Sequence, residues 1–192
     1  GRKPVLGDSE AKRELLSIVE RVAAGSASVL IHGETGTGKT LLARRIHDLS
    51  PRRDQRFVAI NCSAFQDQLL ENELFGHERG AFTGAAGVGG TTVHRVDTRS
   101  IAASNKDLQD EVKASRFRED LLFRLNVIYL RMPRLAERTR DIPLLVEHLL
   151  HRYRLPDEPR KQMSPEAIQL LCNYSWPGNI RELANTIEGG VL

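Results

Sequence analysis

The stretch of sequence that decides the fold is Gly33-Glu34-Thr35-Gly36-Thr37-Gly38-Lys39-Thr40. It matches the pattern GxxxxGK followed by Ser or Thr, comes after an apolar run and opens a segment with helical periodicity. The glycines allow successive backbone N–H groups to turn towards phosphate oxygens, and the helix N-terminus adds partial positive charge. At this spacing we expect Lys39 to reach the β- and γ-phosphates of a nucleotide and Thr40 to offer its hydroxyl to Mg²⁺. A glycine turn without a ligand is the alternative, but the strand–loop–helix context favours a phosphate-binding loop.

Apolar periodicity predicts alternating strands and helices around this loop. Helical spacing begins with a segment that Asp8-Ser9 would cap and Gly25 would end. Strands that alternate with helices indicate a parallel sheet covered by helices, so the sequence predicts an α/β fold with a P-loop core. Short apolar runs typical of buried strands occupy residues 28–31, 57–60, 96–103 and 127–130.

The pattern changes after Pro133, where only helical spacing remains. Asp141 is a candidate N-cap for one helix, Ser164-Pro165 offers a cap and a first-turn proline for a second, and a third begins near Asn179. We therefore expect a small, all-helical C-terminal lid on the α/β core. The predicted boundaries are residues 1–133 for the nucleotide-binding core and residues 134–192 for the lid.

Composition narrows the cellular setting. The chain has 192 residues, no apolar run long enough to span a bilayer and no signal-peptide pattern, so we expect a cytoplasmic protein without a membrane segment. The two cysteines lie outside any CxxC pair, which argues against a zinc site or a disulfide framework. The net charge is +3, but the densest basic groups, at residues 52–53 and 138–140, have acidic neighbours. They indicate a solvated surface rather than a DNA-binding patch.

A second stretch narrows the class of protein. The segment from residue 73 to residue 85 ends in Gly80-Ala81-Phe82-Thr83-Gly84-Ala85. Its glycines suit a mobile loop, and the ring of Phe82 and the hydroxyl of Thr83 suit contact with a partner protein; an unstructured linker is the alternative. Together with the phosphate loop, this GAFTGA string resembles the central AAA+ ATPase domain of sigma-54-dependent bacterial transcription activators, the NtrC-like family. The resemblance covers nearly the whole chain, from about residue 5 to residue 188.

The resemblance implies roles for further residues. Asn61 would sense the γ-phosphate and restrain the catalytic glutamate, and Asn105 would report the phosphate state at the end of a strand. Arg118 and Arg124 resemble the arginine fingers that reach a neighbouring subunit's nucleotide, and Arg181 resembles the lid residue directed at the phosphates. The residues alone leave blander interpretations open: helix-surface arginines paired with nearby acids, a helix-start arginine and a strand-end asparagine.

One segment of the family pattern is missing. After GAFTGA the family continues through a helix and a hydrophobic strand that ends in Asp-Glu, the Walker B acids that hold Mg²⁺ and orient the attacking water. Here Ala85 is followed by Ala86-Gly87 and then directly by Val88-Gly89-Gly90, with no such strand between them. Without these acids the chain could bind ATP, but hydrolysis would lose its water-positioning group. An interior strand of the sheet would also be absent, which would leave unpaired edges.

The resemblance implies an ATP- and Mg²⁺-dependent motor. The domain would assemble into a ring, commonly a hexamer, and use residues 80–85 to remodel closed complexes of the sigma-54 RNA polymerase holoenzyme. Promoter DNA would be contacted through a domain outside this chain. Two alternatives remain: an ATP-binding subunit or scaffold that does not hydrolyse, favoured by the missing acids, and a clamp-loader-like or helicase-like AAA+ protein, which GAFTGA disfavours.

Overall fold

Three short strands form a parallel sheet in the order β2-β1-β3. They are β1 (Val29–His32), β2 (Ile101–Ser104) and β3 (Ile128–Arg131). Val29 lies opposite Ile101 on one side and Ile128 on the other, so the central strand is in register with both neighbours. The predicted parallel α/β fold is confirmed. The structure is a computed structural model, and it describes residues 7, 9–60, 97–154, 159 and 161–191.

Helices cover both faces of the sheet. Side chains of a strand point alternately to opposite faces, so Val29 and Ile31 face the opposite way to Leu30. Val29 and Ile31 pack in the main core with side chains of α1 and α2, whereas Ala102, in register with Leu30, packs against α4. The helices of this part of the chain are α1 (Glu10–Ala24), α2 (Lys39–Leu49), α3 (Leu108–Lys113) and α4 (Glu119–Leu125).

A helical unit follows β3 and has its own core. A 3-10 helix (Leu135–Asp141) leads into α5 (Ile142–Tyr153), α6 (Pro165–Asn173) and α7 (Asn179–Val191). Trp176, 3% exposed, lies in this core, where its indole N–H donates to the Leu171 carbonyl at 2.7 Å and its ring meets Tyr174 edge-on. The predicted helical lid is therefore present. As predicted, Ser164 caps α6, its hydroxyl accepting from the Ala167 N–H.

The predictions for two strands need correction. Residues 57–60 form no strand, and Val58 and Ile60 are 72% and 44% exposed. A strand needs a hydrogen-bonded neighbour, and among the described residues none lies beside this segment. The strand expected from residue 96 begins only at Ile101 and ends at Ser104. Within the described part of the chain, β2 pairs on one side only, and Ala103 is exposed.

Ser9 and Asp141 precede helices α1 and α5 as predicted, but neither side chain caps its helix. Instead, the Ser9 N–H and hydroxyl donate to the two carboxylate oxygens of Asp141 at 2.7 and 2.9 Å. Asp141 is 1% exposed, and a buried carboxylate needs donors more than a helix end that water can reach. The segment before α1 is thereby joined to the start of the lid.

Candidate nucleotide site

The phosphate-binding loop connects β1 to α2 in a backbone conformation that requires glycine. Gly36 and Gly38 have φ values of +82° and +100°, in the left-handed region that other L-residues rarely adopt. Gly38 is the N-cap of α2, so the unpaired N–H groups of the first helical turn open beside the loop. A helix N-terminus in this position carries partial positive charge, which suits a phosphate group.

Lys39 folds back onto the loop. Its Nζ donates to the carbonyls of Gly33 at 2.6 Å and Glu34 at 2.8 Å. Partial burial, followed by the charge of the nearby Arg181, lowers the pKa of Lys39 from its usual value. An ammonium held by two neutral carbonyls can exchange them for a charged phosphate, which is the stronger partner. Thr40 lies beside it in the first turn of α2 and is exposed.

The lid lies against the carbonyl side of the loop. Three successive loop carbonyls accept hydrogen bonds from lid residues: that of Thr35 from Asn179 Nδ2 at 3.2 Å, that of Gly36 from the Ile180 N–H at 3.1 Å, and that of Thr37 from Arg138 Nη2 at 3.0 Å. The contact is so close that a Cβ on Gly36 would lie 2.1 Å from the Gly178 carbonyl oxygen. The loop and the lid therefore form one packed unit.

Asn179 is the central residue of this contact, and the sequence analysis gave it no binding role. It is fully buried at 0% exposure and has a φ of +53°. Its Nδ2 also donates to Glu34 Oε2 at 3.0 Å, and its Oδ1 accepts from the Leu135 N–H at 2.8 Å. The available signal was its position two residues before Arg181, in the stretch that resembles the family's lid motif.

Arg138 is the second residue that the sequence analysis missed. The basic group at residues 138–140 was expected to be solvated, but Arg138 is 1% exposed and contacts the loop, as given above. The expectation was wrong for this residue because its backbone leaves helical geometry, with φ −139° and ψ 47°, inside the 3-10 helix. A local break of this kind has no signature in the sequence.

Asn105 and Arg181 both lie beside the phosphate-binding loop. Asn105 follows the carboxyl end of β2, and its Nδ2 donates to Thr35 Oγ1 at 3.3 Å. Arg181 is exposed in the first turn of α7, and its Cβ lies 3.1 Å from the position a Cβ on Gly36 would take. Carboxyl ends of parallel strands meet at one edge, which explains why residues distant in sequence come together here.

Arg118 and Arg124 are exposed at the start and within the last turn of α4. The guanidinium of Arg118 pairs side-on with Asp120 at 3.1 and 2.7 Å and keeps 51% of its side-chain surface exposed. An ion pair with a nearby acid is the alternative that the sequence left open for these arginines, beside the role of arginine fingers that reach a neighbouring subunit. Asn61 and residues 80–85 lie outside the described residues.

A groove of about 2030 Å³ runs along the loop, the carboxyl end of β2 and the lid. Among its lining residues are Lys39, Thr40, Asn105 and Arg181, and it continues past the loop to residues 57–60. It exceeds the size of a single ligand pocket, so a nucleotide would fill only the end beside the loop. Within the described residues, no group of three or more His, Cys, Asp or Glu side chains could hold a metal ion.

A phosphate loop between a parallel strand and a helix, covered by a helical lid, defines a P-loop domain of the AAA+ type. The chain belongs to the sigma-54 interaction domain family: the model of that domain matches residues 5–88 and 86–131. The model of the AAA+ ATPase lid domain matches residues 136–192. In the described part of the chain, no helix combines the length and the apolar character needed to cross a bilayer.

Curated relatives with the same domain are transcription regulators. The chain is 41% identical to the transcriptional regulatory protein ZraR of Salmonella typhimurium, over 98% of this chain and 52% of ZraR. It is 39% identical to the Nif-specific regulatory protein of Herbaspirillum seropedicae, over 96% of this chain and 42% of that protein. The chain thus spans about half the length of these relatives or less.

Solved structures agree with the fold. NtrX from Brucella abortus in complex with ADP superimposes with a TM-score of 0.81 and 32% identity, over 96% of this chain and 50% of NtrX. NtrX in complex with ATP matches equally well, with a TM-score of 0.81.

ZraR contains positions that have no counterpart in this chain. The alignment with ZraR spans 232 positions, whereas this chain has 192 residues, so about 40 positions or more have no counterpart here. The two segments of the domain match meet at residues 86–88, where the sequence analysis places the gap.

Proposed function

We propose that the chain binds ATP with Mg²⁺ between the P-loop core (residues 1–133) and the lid (residues 134–192), as the motor domain of a sigma-54-dependent activator. The observation that carries this proposal is the phosphate-binding loop: the lid donates hydrogen bonds to its carbonyls, and Gly36, Gly38 and Lys39 line the groove. Family membership and the nucleotide complexes of the similar NtrX support it.

Within this proposal each group of the loop has its own role in binding the nucleotide. Backbone N–H groups of residues 33–40 and the N-terminus of α2 would bind phosphate oxygens, and Lys39 would exchange its two carbonyl partners for the terminal phosphates. Thr40 would hold Mg²⁺, which when bound neutralises charge on the phosphates. Asn105 and Arg181, both beside the loop, would respond to the presence of the γ-phosphate, as would Asn61.

Assembly would complete the site. Arg118 and Arg124 are exposed on α4, where a neighbouring subunit could meet them, and the pair between Arg118 and Asp120 is open to solvent. An exposed ion pair contributes little, so Arg118 can leave Asp120 for a phosphate at low cost. An arginine supplied in trans would make hydrolysis depend on a ring, which we propose to be a hexamer.

The partner in this proposal is the sigma-54 RNA polymerase holoenzyme. Residues 80–85 would contact sigma-54 and transmit the nucleotide state to the closed promoter complex. Promoter DNA would be bound through another domain of a longer protein, and the protein would work in the cytoplasm. The alternative of a clamp-loader-like or helicase-like protein loses support because the sigma-54 interaction domain matches this chain.

A second candidate function is nucleotide binding without hydrolysis. Two observations favour it: about 40 positions of ZraR have no counterpart here, and in the described residues β2 lacks a neighbour on one side. The resemblance puts the acids that orient the attacking water in the missing segment. In this case the chain would report bound ATP by its conformation and would release no phosphate.

The test is a titration of the purified chain with a fluorescent ATP analogue, combined with a phosphate-release assay. We expect the wild-type chain to bind and Lys39→Ala to bind roughly a hundredfold more weakly or worse, because charge-assisted bonds to phosphate are lost. Lys113→Ala is the matched control: this exposed lysine in α3 pairs with Asp110. Equal affinity of the wild type and Lys39→Ala would contradict the site. Phosphate release by the wild type would decide for the motor, and binding without release for the second candidate.

A further inference from the structure

Arg138 carries a fully buried guanidinium. Its side chain is 1% exposed and is the largest among the fully buried side chains of the described residues. Nη2 donates to the Thr37 carbonyl at 3.0 Å, whereas Nε and Nη1 have no hydrogen-bond partner among the described residues. Buried donors without partners are rare in proteins because each costs free energy, so this arrangement calls for a reason.

The surroundings of Arg138 add to that cost. Lys12 of α1, also 1% exposed, is close enough for the two cations to repel each other, and Asp141 is the anion that both of them face. Both carboxylate oxygens of Asp141 already accept from Ser9. Among the described residues, the cluster therefore buries two positive charges and one negative charge. A neutral side chain of similar volume at position 138 would leave Lys12 and Asp141 balanced.

The bond from Arg138 to the Thr37 carbonyl falls between the two glycines of the phosphate-binding loop that have positive φ. Thr37 is 1% exposed and lies between Gly36 and Gly38, the two residues with positive φ. The Thr37 hydroxyl donates to the Glu34 carbonyl at 2.8 Å, which fixes its side chain but leaves the orientation of the next peptide plane open. One glycine on each side of Thr37 gives this part of the backbone conformational freedom.

The Thr37 carbonyl and the Gly38 N–H belong to the same peptide plane. In a planar trans peptide the C=O and N–H bonds point in opposite directions. A donor that holds the carbonyl oxygen on the lid side therefore directs the Gly38 N–H to the other side, towards the groove. Asn179 acts in the same way on the plane of Thr35 and Gly36, because it donates to the Thr35 carbonyl.

We propose that Arg138 is a positioning residue for the nucleotide, which holds the Thr37 carbonyl so that the Gly38 N–H is directed at a phosphate oxygen. The proposal rests on the proposed nucleotide function, and it gives a reason for a buried charge that lowers the stability of the folded state. Arg138 itself touches no phosphate: it acts through the backbone of the loop. The 3-10 helix at the start of the lid thereby contributes to nucleotide affinity from the side of the loop opposite the ligand.

The test compares three variants by their affinity for the fluorescent ATP analogue and by their melting temperature without nucleotide. Arg138→Met removes the donors at similar volume. We expect it to melt at or above the wild-type temperature and to bind roughly tenfold more weakly. Arg138→Lys keeps the charge and a donor and should recover most of the affinity. Lys12→Met removes the neighbouring cation without touching Thr37 and should leave the affinity unchanged.

The outcomes separate a positioning role from a structural one. A Met variant that is unfolded or less stable, or one that binds ATP like the wild type, overturns the proposal. So does a Lys variant that binds no better than the Met variant. Faster hydrogen exchange of amides 33–40 in the folded Met variant would support it, since a purely structural residue would not alter this loop selectively. Failure of the wild-type chain to bind nucleotide would instead overturn the proposed function, which the Lys39→Ala comparison tests separately.

Discussion

At the scale of the residue, Lys12 holds its positive charge inside the protein. It lies on the buried side of α1, and burial, followed by the charge of Arg138, lowers the pKa of its ammonium from 10.5 to about 8, against the opposing effect of Asp141. The unfolded chain would keep the ordinary value. The two states therefore bind different numbers of protons between pH 8 and pH 10.5, and folding becomes linked to pH in this window.

The sign of this linkage gives a prediction. Below pH 8 Lys12 is protonated in both states, and the folded state bears the full cost of the buried charge. As the pH rises towards 10.5 the folded state releases the proton first, so the free energy of unfolding increases, by at most about 3 kcal/mol. We expect urea unfolding at pH 7 and pH 10 to show this gain for the wild type relative to Lys12→Met. A difference between the two proteins that does not change with pH would contradict it.

At the same scale, some residues of the candidate site could be predicted from the sequence and others could not. Lys39 and Thr40 could be assigned because a loop that binds phosphate requires glycines and a lysine at fixed spacing. Asn179 and Arg138 could not, because their partners are 144 and 101 residues away, and no local pattern specifies such a contact. Burial of Arg138 also contradicts the usual placement of arginine at the surface.

At the scale of elements, the lid and the phosphate-binding loop share one interface. The N-terminus of α7 and the 3-10 helix supply donors, and three successive loop carbonyls accept them. Helix spacing predicted α1, α2, α6 and α7, and a serine followed by a proline predicted the start of α6. The strand expected at residues 57–60 was wrong because an apolar run forms a strand only beside a partner strand, which lies outside the run itself.

A substitution at Gly36 tests whether the contact between lid and loop supports nucleotide binding. We expect Gly36→Ala to separate lid and loop, because its φ of +82° disfavours any side chain and its Cβ would meet the Gly178 carbonyl oxygen at 2.1 Å. A cost on the order of 1–2 kcal/mol would weaken nucleotide binding roughly tenfold. Gly189→Ala in α7 is the control, since a Cβ there meets nothing within 4 Å. Equal affinity of the Gly36 variant and the wild type would show that the lid need not touch the loop for binding.

At the scale of the whole molecule, the central strand β1 and its neighbour β2 differ in burial. In β1, Val29, Leu30 and Ile31 are at most 2% exposed, whereas in β2 none of the side chains is fully buried. This difference agrees with the sheet order, in which β2 pairs on one side only among the residues that the structure describes. The gap could be located from the sequence because the residues around it still follow the family order.

Restoring the segment should restore both stability and hydrolysis. We expect insertion of the aligned ZraR segment, about 40 residues, between residues 86 and 88 to raise the melting temperature, because it would pair and cover β2. Phosphate release should then appear or increase at saturating ATP. A linker of equal length made of Gly and Ser is the control and should do neither. If the chain without the insertion already releases phosphate as fast as the chimera, the missing acids are not required.

Trp176 gives the molecule an optical property. It is the single tryptophan of the chain, and it lies three residues before Asn179. Its ring is buried in the lid and meets the ring of Tyr174 edge-on. Its fluorescence therefore comes from one place, directly behind the contact between lid and loop. A movement that shifts Asn179 relative to the loop would disturb the short segment that carries Trp176 and Tyr174, so such a movement can be timed in a stopped-flow instrument without attaching a dye.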